Sequence, residues 1–277
     1  MSTPDGAVGR LVVCPTPIGN LRDVTLRVLD TLRDADAIAC EDTRRTRVLL
    51  ERYEIEARGL ISVHEHNEAQ RSTQLLARIG RGETVALVSD AGMPLVSDPG
   101  YALVRACIEA SVAVEVLPGP SSVVTAIPLA GLPAERWRFV GFLPRKRSEL
   151  VRLLDESPDT LVAFESPARL ASTLDLLAEH DPERPAAVCR ELTKLHEEVR
   201  RGTAAQLAAH YESRPPKGEI VLVLGAPAEG GADREQAMVA LRATIQAGAR
   251  ARPAASAIAK LTGLSANELY RALMDGG

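Results

Sequence analysis

A chain of 277 residues, 45% of them apolar, is long enough to bury one large or two modest cores, and its net charge of −4 argues against a surface coated uniformly for nucleic acid. It holds no run of about 18 uncharged apolar residues that would cross a bilayer, and its opening MSTPDGAVGR lacks the basic-then-apolar order of a secretion signal. A cytoplasmic globular protein with no membrane partner is therefore expected, and its four scattered cysteines (Cys14, Cys40, Cys107 and Cys189, with no C-x-x-C pair) should be buried thiols rather than disulfides or metal ligands.

In chain order, short β-branched apolar runs recur at RLVVC (10–14), AIAC (37–40), LISVH (60–64), TVALVS (84–89) and VAVEVL (112–117). Stretches of helical spacing lie between them, the first carrying Val24, Val28, Leu29 and Leu32 behind Asp23 as a candidate N-cap. Strands alternating with helices predict an α/β protein with a parallel sheet. After PGPSS (118–122) a second series begins, RFVGFL (138–143), TLVAFE (160–165), AAVCRE (186–191) and EIVLVLG (219–225), which reads as a second α/β domain. GAPAEGGADRE (225–235) has the composition of a linker. The expected division is an N-terminal α/β domain over 1–117, a C-terminal α/β domain over 118–228 and a helical tail over 232–277.

In that tail, AASAIAKLTGLSANELYRAL (254–273) lets Ile258 and Leu261 pack on one helix and Leu269, Tyr270 and Leu273 on another, with Gly263 at the corner and Ser265 as a cap. The pattern resembles a helix-turn-helix. Residues 232–277 carry six Lys and Arg against four Asp and Glu, a surplus of +2 that leaves −6 on the first 231 residues. That surplus suits nucleic-acid contact, and a hairpin packed only on its neighbour or on a second copy equally well.

Three turns at the carboxyl ends of expected strands are rich in Gly, Pro, Ser and Asp: PTPIGN (15–20), SDAGMPLVSDPG (89–100) and LPGPSS (117–122). Ligands of open parallel sheets sit beyond such strand ends, so the three turns are candidates to converge on one pocket. Pro15, Pro17, Pro94, Pro99, Pro118 and Pro120 offer no amide donors, and no G-x-G-x-x-G is present, which disfavours a pyrophosphate. A phosphate-free sulfonium nucleoside, gripped by shape and carbonyls, matches better.

The blocks TPIGNLRDVTLRVLDTL, CEDTRRTRVLL, HNE, LVSDAGMPLVSDPG, PGPSSVVTAI, GFLPRK, FESPAR, RELTKLHEEVRRG and KGEIVLVLG run in the order found in the tetrapyrrole methylase superfamily, which the chain resembles over roughly 9–225. The CEDTR, HNE and RELTK blocks resemble the branch that 2′-O-methylates a cytidine ribose of 16S rRNA, in the decoding region of the small ribosomal subunit. The resemblance implies two α/β domains with S-adenosylmethionine in the cleft between them, and a homodimer. It carries cofactor contacts onto Pro17, onto Ser89, Asp90 and Ala91, onto Ser121 and Ser122, and onto Phe164, Glu165 and Leu192. Two departures stand out: Ser89, Asp90, Ala91 and Gly92 replace the Gly-Asp-Pro of many relatives, and Ala168 removes a histidine from FESPAR.

Methyl transfer to a ribose hydroxyl needs alignment, exclusion of water and help with one proton. Asp42 and Arg44 in CEDTRR, Asn67 and Glu68 in HEHNE, and Glu191 with Lys194 in RELTK are the catalytic candidates. Each has a plainer reading, such as an Arg190–Glu191 ion pair or a solvated helix start at CEDTRRTR. His64 and His66 share a face if their strand continues, but no third ligand is evident, so no metal is expected. Arg44, Arg45, Arg47, the RKR of 145–147, Arg200 and Arg201 form basic clusters suited to phosphates, while 3% aromatic content leaves few stacking platforms. A porphyrinoid methylase and a ligand-sensing DNA-binding regulator are the rival readings. Neither explains the basic clusters together with the three turns.

Overall fold

The structure is a computed structural model that describes residues 9–227, 234–262 and 264–275. Its first sheet contains β1 (Arg10–Cys14), β2 (Ala37–Cys40), β3 (Leu60–Ser62), β4 (Thr84–Val88) and β5 (Ala113–Val116) in the order β3-β2-β4-β1-β5, with every pairing parallel. Helices α1 (Leu26–Asp34), α2 (Thr43–Arg52), α3 (Glu68–Ile79) and α4 (Tyr101–Glu109) follow β1 to β4.

The two faces of this sheet are covered by different helix pairs. Val12, Ile38 and Ala86 pack under Val28, Leu32, Leu49 and Leu50 of α1 and α2, while Leu11, Ala39 and Leu87 pack under Leu75, Ile79, Leu103 and Cys107 of α3 and α4. Burial on both faces is why these strands read as unbroken apolar runs rather than alternating ones. β1 and β4 are neighbours whose following helices leave to opposite faces. Their carboxyl ends therefore open a crevice, the place where a doubly wound sheet accepts ligands.

The first helix begins later than the sequence suggests. Asp23 closes a short 3-10 turn over Leu21–Asp23, and Thr25 is the N-cap of α1, its hydroxyl accepting from the Val28 amide at 3.2 Å. A hydroxyl three residues before a free amide outcompetes the carboxylate two residues upstream.

The second sheet is mixed. β6 (Trp137–Phe142), β7 (Thr160–Glu165), β8 (Pro185–Arg190), β9 (Glu198–Thr203) and β10 (Ile220–Leu224) lie in the order β6-β7-β10-β8-β9, with β10 antiparallel to both neighbours and β9 antiparallel to β8. β9, EVRRGT, has no apolar run because it is a charged edge strand. One face is covered by α6 (Arg147–Asp155), α7 (Pro167–His180) and α8 (Ala204–Glu212), the other by α5 (Ser122–Ala130) through Val123, Ala126 and Ala130. The helix leaving the third turn thus packs on the second sheet, and Ile18 from the first turn joins the same apolar cluster.

Three helices, α9 (Arg234–Gln246), α10 (Ala251–Thr262) and α11 (Ala266–Asp275), share a small core of Met238, Leu241, Ala255, Ile258 and Leu269. The tail is therefore a three-helix unit. Leu261 is 86% exposed rather than packed, and Leu264 meets the core in its place. Ser265 Oγ accepts from the Glu268 amide at 3.4 Å, as a cap should, while Gly263 lies outside the described residues. All four cysteines are free and buried, and no described helix is long and apolar enough to cross a membrane.

Candidate active site

The three turns meet. Thr16 and Gly92 exchange backbone hydrogen bonds of 2.9 Å in both directions, and the Thr16 hydroxyl donates to the Ser89 carbonyl at 3.0 Å, which ties the turn after β1 to the turn after β4. The third turn closes over the first, since a Cβ placed on Gly119 would stand 2.8 Å from Pro15 Cβ. The first turn also reaches the second half of the chain. The Asn20 amide donates to Thr193 Oγ1 at 3.0 Å, and a Cβ on Gly19 would lie 2.5 Å from Lys194 Cγ.

Between the turns and the second sheet lies a cavity of about 390 Å³. Because β10 runs antiparallel to its neighbours, its first residues share an edge with the carboxyl ends of β7 and β8, where Ile220 pairs with both Glu165 and Arg190. That edge supplies Phe164, Glu165, Leu192 and Gly218–Val221, and the turns supply Ile18, Ala91, Val96, Asp98 and Ser122. No Lys or Arg is among the lining residues. A second, more open cleft of about 770 Å³ shares Ile18 and Val96 with the first and is bordered by Thr25, Pro118–Ser121 and Thr193.

Of the residues expected to hold a cofactor, Ala91, Ser122, Phe164, Glu165 and Leu192 line the cavity, and Ser121 lines the neighbouring cleft while its hydroxyl caps α5. The other three stand behind the wall. Pro17 is buried, the Ser89 hydroxyl donates to the Gly92 carbonyl at 3.2 Å, and Asp90 accepts from the Asp42 amide at 2.9 Å and pairs with Arg45 at 3.5 Å. Ser89 and Asp90 shape the second turn.

None of the six catalytic candidates lines the cavity. Asp42 is the N-cap of α2 and is gripped by Arg44, whose guanidinium reaches it at 2.6–3.2 Å. The Arg44 side chain and amide together hold the Asp42 carboxyl down at about 2. Asn67 pins its own turn, accepting from the His64 amide at 2.9 Å and donating to the Ser62 carbonyl at 3.2 Å. Glu68 Oε1 accepts from the amides of Gly100 at 2.9 Å and Ala102 at 2.8 Å, so it caps α4 from the start of α3, its neighbour on the same face of the sheet.

Glu191 does not pair with Arg190. Arg190 is bound to Glu198 of the adjacent edge strand at 2.8 Å, and Glu191 Oε1 takes Lys194 Nζ at 2.8 Å and the Glu219 amide at 3.0 Å. Lys194 and the Glu219 amide lower the Glu191 carboxyl; burial opposes the Lys194 charge, but Glu191 and Glu219 hold its pKa above the ordinary range. This loop is wound tightly, with Glu191 at φ 52° and Thr193 at φ 66°. Gly218, at φ 87°, must be glycine because a Cβ there would sit 2.2 Å from Glu191 Oε1.

β3 ends at Ser62, so His64 and His66 occupy a turn, and Asn67 Nδ2 lies 3.0 Å from His64 Nε2. Among the described residues no three potential ligands gather as a metal site. Of the basic residues, Arg44, Arg45, Arg47 and 145–147 are exposed, but Arg201 Nε is bound to the carbonyls of Leu129 and Ala130 at the end of α5, at 2.9 and 3.2 Å. It closes a helix rather than awaiting a phosphate.

The residue missed by sequence reasoning is Asp98. It lies in the quoted second turn, but only the positive φ of Leu95 (71°) and Ser97 (64°) swings it back onto the cavity wall. Burial first, then the Glu41 and Asp90 carboxylates, push its carboxyl up to about 6, against a smaller opposing effect of the Ser89 hydroxyl. Glu41 is raised by burial and by Asp90 as well.

The family model for Tetrapyrrole (Corrin/Porphyrin) Methylases matches residues 10–208. The chain belongs to this family. It is 48% identical to a Ribosomal RNA small subunit methyltransferase I of Mesorhizobium japonicum, over 96% of this chain and 91% of that one. A protein of the same name from Thermotoga maritima is 45% identical over 78% of this chain and 98% of that one. Among solved structures, a uroporphyrin-III C-methyltransferase of Thermus thermophilus complexed with S-adenosylhomocysteine shares the fold, with a TM-score of 0.55 and 21% identity over 78% of this chain and 97% of that one. The tetrapyrrole methylase fold accounts for the two sheets, and the helices α9 to α11 follow them.

Proposed function

We propose that this chain methylates the 2′-hydroxyl of a cytidine ribose in 16S rRNA of the small ribosomal subunit. The observation that carries the reading is the 48% identity, over nearly the whole chain, to a relative named for small-subunit rRNA methylation. The methyl donor is S-adenosylmethionine, which supplies a methyl group on a cationic sulfur with a good leaving group behind it. The cavity fits such a molecule: it is walled by Ile18, Val96, Phe142, Phe164 and Leu192, has the acids Asp98 and Glu219 among its lining residues, and is lined by no Lys or Arg. A phosphate-bearing cofactor would lack a counter-charge there, while a cation would not.

Ala91, Ser122, Phe164, Glu165 and Leu192 would hold the donor. The linked turns and the 191–194 loop keep both walls in register and shut out water, which is most of what an in-line displacement asks of a protein. Arg44, Arg45, Arg47 and the exposed 145–147 segment would meet the RNA backbone, with the tail 232–277 as a further contact and a homodimer as the working form. The same apolar walls would also suit a porphyrinoid, but that reading leaves the rRNA-named relatives unexplained.

The test is transfer of labelled methyl to undermethylated small subunits, followed by nuclease mapping. Label on one cytidine ribose supports the reading, and label on porphyrinoids alone overturns it. RNA binding should fall steeply with salt while donor binding barely changes.

A further inference from the structure

Four titratable residues border the donor cavity: Asp98, Glu165, Cys189 and Glu219. Three are already engaged. Glu165 accepts from the Ser166 amide at 2.7 Å and from the Thr173 hydroxyl at 2.8 Å, forms an ion pair with Arg169 at 3.2 Å, and its side chain is fully buried. Glu219 holds Lys194 at 3.1 Å. The Cys189 thiol is pushed up to about 11 by burial and stays protonated.

Asp98 differs. Among the described residues it forms no ion pair, and Arg45 pairs with Asp90 instead. The groups facing it are Glu41 beyond β2 and Ser89 and Asp90 beyond β4, and Glu165, Cys189 and Glu219 line the same cavity. Burial and the two neighbouring acids favour its taking a proton, against a smaller opposing effect of the Ser89 hydroxyl, and the cavity gives it access to a reacting hydroxyl.

We propose that Asp98 is the base of the methyl transfer. The assignment rests on the ribose-methylation reading given above. The hydroxyl oxygen forms a bond to the methyl carbon with one lone pair, the carbon–sulfur bond breaks with its electrons passing to sulfur, and the hydroxyl proton moves to the Asp98 carboxylate. The products are the 2′-methoxy ribose, the neutral thioether and a protonated Asp98, which returns its proton to water before the next cycle. An acid raised to about 6 is ionised at neutral pH yet more basic than an ordinary carboxylate.

The test combines single-turnover methylation of undermethylated small subunits at saturating donor, across about pH 5 to 8, with calorimetry of donor binding. The wild-type rate should rise through about pH 6 and then level. Asp98→Asn should lower the plateau by about 100-fold or more with donor affinity within about threefold of wild type. Glu41→Gln removes a like charge without touching the cavity, and should move the inflection to lower pH. An unchanged plateau in Asp98→Asn, or a flat wild-type profile, overturns the proposal. So does an Asp98→Asn variant that loses donor affinity about tenfold and keeps its saturated rate, since the carboxylate would then only recognise the cation. If the unsubstituted chain binds the donor and labels no ribose, the underlying reading falls and the proposal with it, a failure visible before any substitution is made.

Discussion

Replacing Glu68 separates structure from chemistry at a residue whose sequence context suggests catalysis. Its Oε1 receives two backbone amides, Gly100 at 2.9 Å and Ala102 at 2.8 Å, at the start of α4. Amides in the first turn of a helix have no partner inside the helix, and Gly100 is buried, so no water replaces the carboxylate freely. Hydrogen bonds to a charged group are worth about 1.5–3 kcal/mol, and loss of a capping group costs about 0.5–2 kcal/mol. Glu68→Ala should therefore cost about 2–3 kcal/mol, a fall of about 3–5 °C in Tm for a chain of this size. Glu68→Gln keeps an acceptor oxygen and loses only the charge facing the helix dipole, about 1 kcal/mol or less. Urea unfolding gives the stability, and methyl transfer normalised to folded protein gives the chemistry. Full stability in Glu68→Ala together with a collapse of turnover would refute the capping role and return Glu68 to the catalytic set.

Gly218→Ala forces a left-handed φ on a side-chain-bearing residue and drives its Cβ into Glu191, so it should cost about 2–4 kcal/mol; in the double variant with Glu191→Ala the collision goes and the loss should be less than the sum, as chemical denaturation would show. The Asp42 carboxyl should titrate near 2 by NMR, and Arg44→Ala should return its midpoint toward 3.8, because the Arg44 guanidinium is the leading cause of the depression. Asp98 has the opposite sign. Its folded pKa is raised, so the folded state binds the proton more tightly, and stability falls as pH rises from about 4 to about 6. Asp98→Asn should match wild type at low pH and exceed it at pH 7 by on the order of 1 kcal/mol after allowance for solvent screening, which thermal melts at both pH values would measure.

The strands were legible wherever both faces are buried. RLVVC, AIAC and TLVAFE coincide with β1, β2 and β7 because parallel or central strands need apolar side chains on each side. β9 escaped notice since an edge strand needs burial on one face at most, and its arginines serve the neighbouring helix end and Glu198. The three turns announced themselves through proline and glycine. Which of their side chains face the cavity did not, because that depends on φ at Leu95 and Ser97.

From its sequence alone the chain determines the α/β class, the succession of strands and the turns beyond them, since period and turn chemistry are local properties written within a few residues. The division of labour among polar residues was decided by the tertiary structure. Glu68 became a cap because α4, thirty residues later, presents its amides to it, and Asp98 became the uncommitted acid because β2 and β4 place Glu41 and Asp90 beside it. A carboxylate's task follows from which partners reach it and how much water is left around it, and both are set only when distant segments pack.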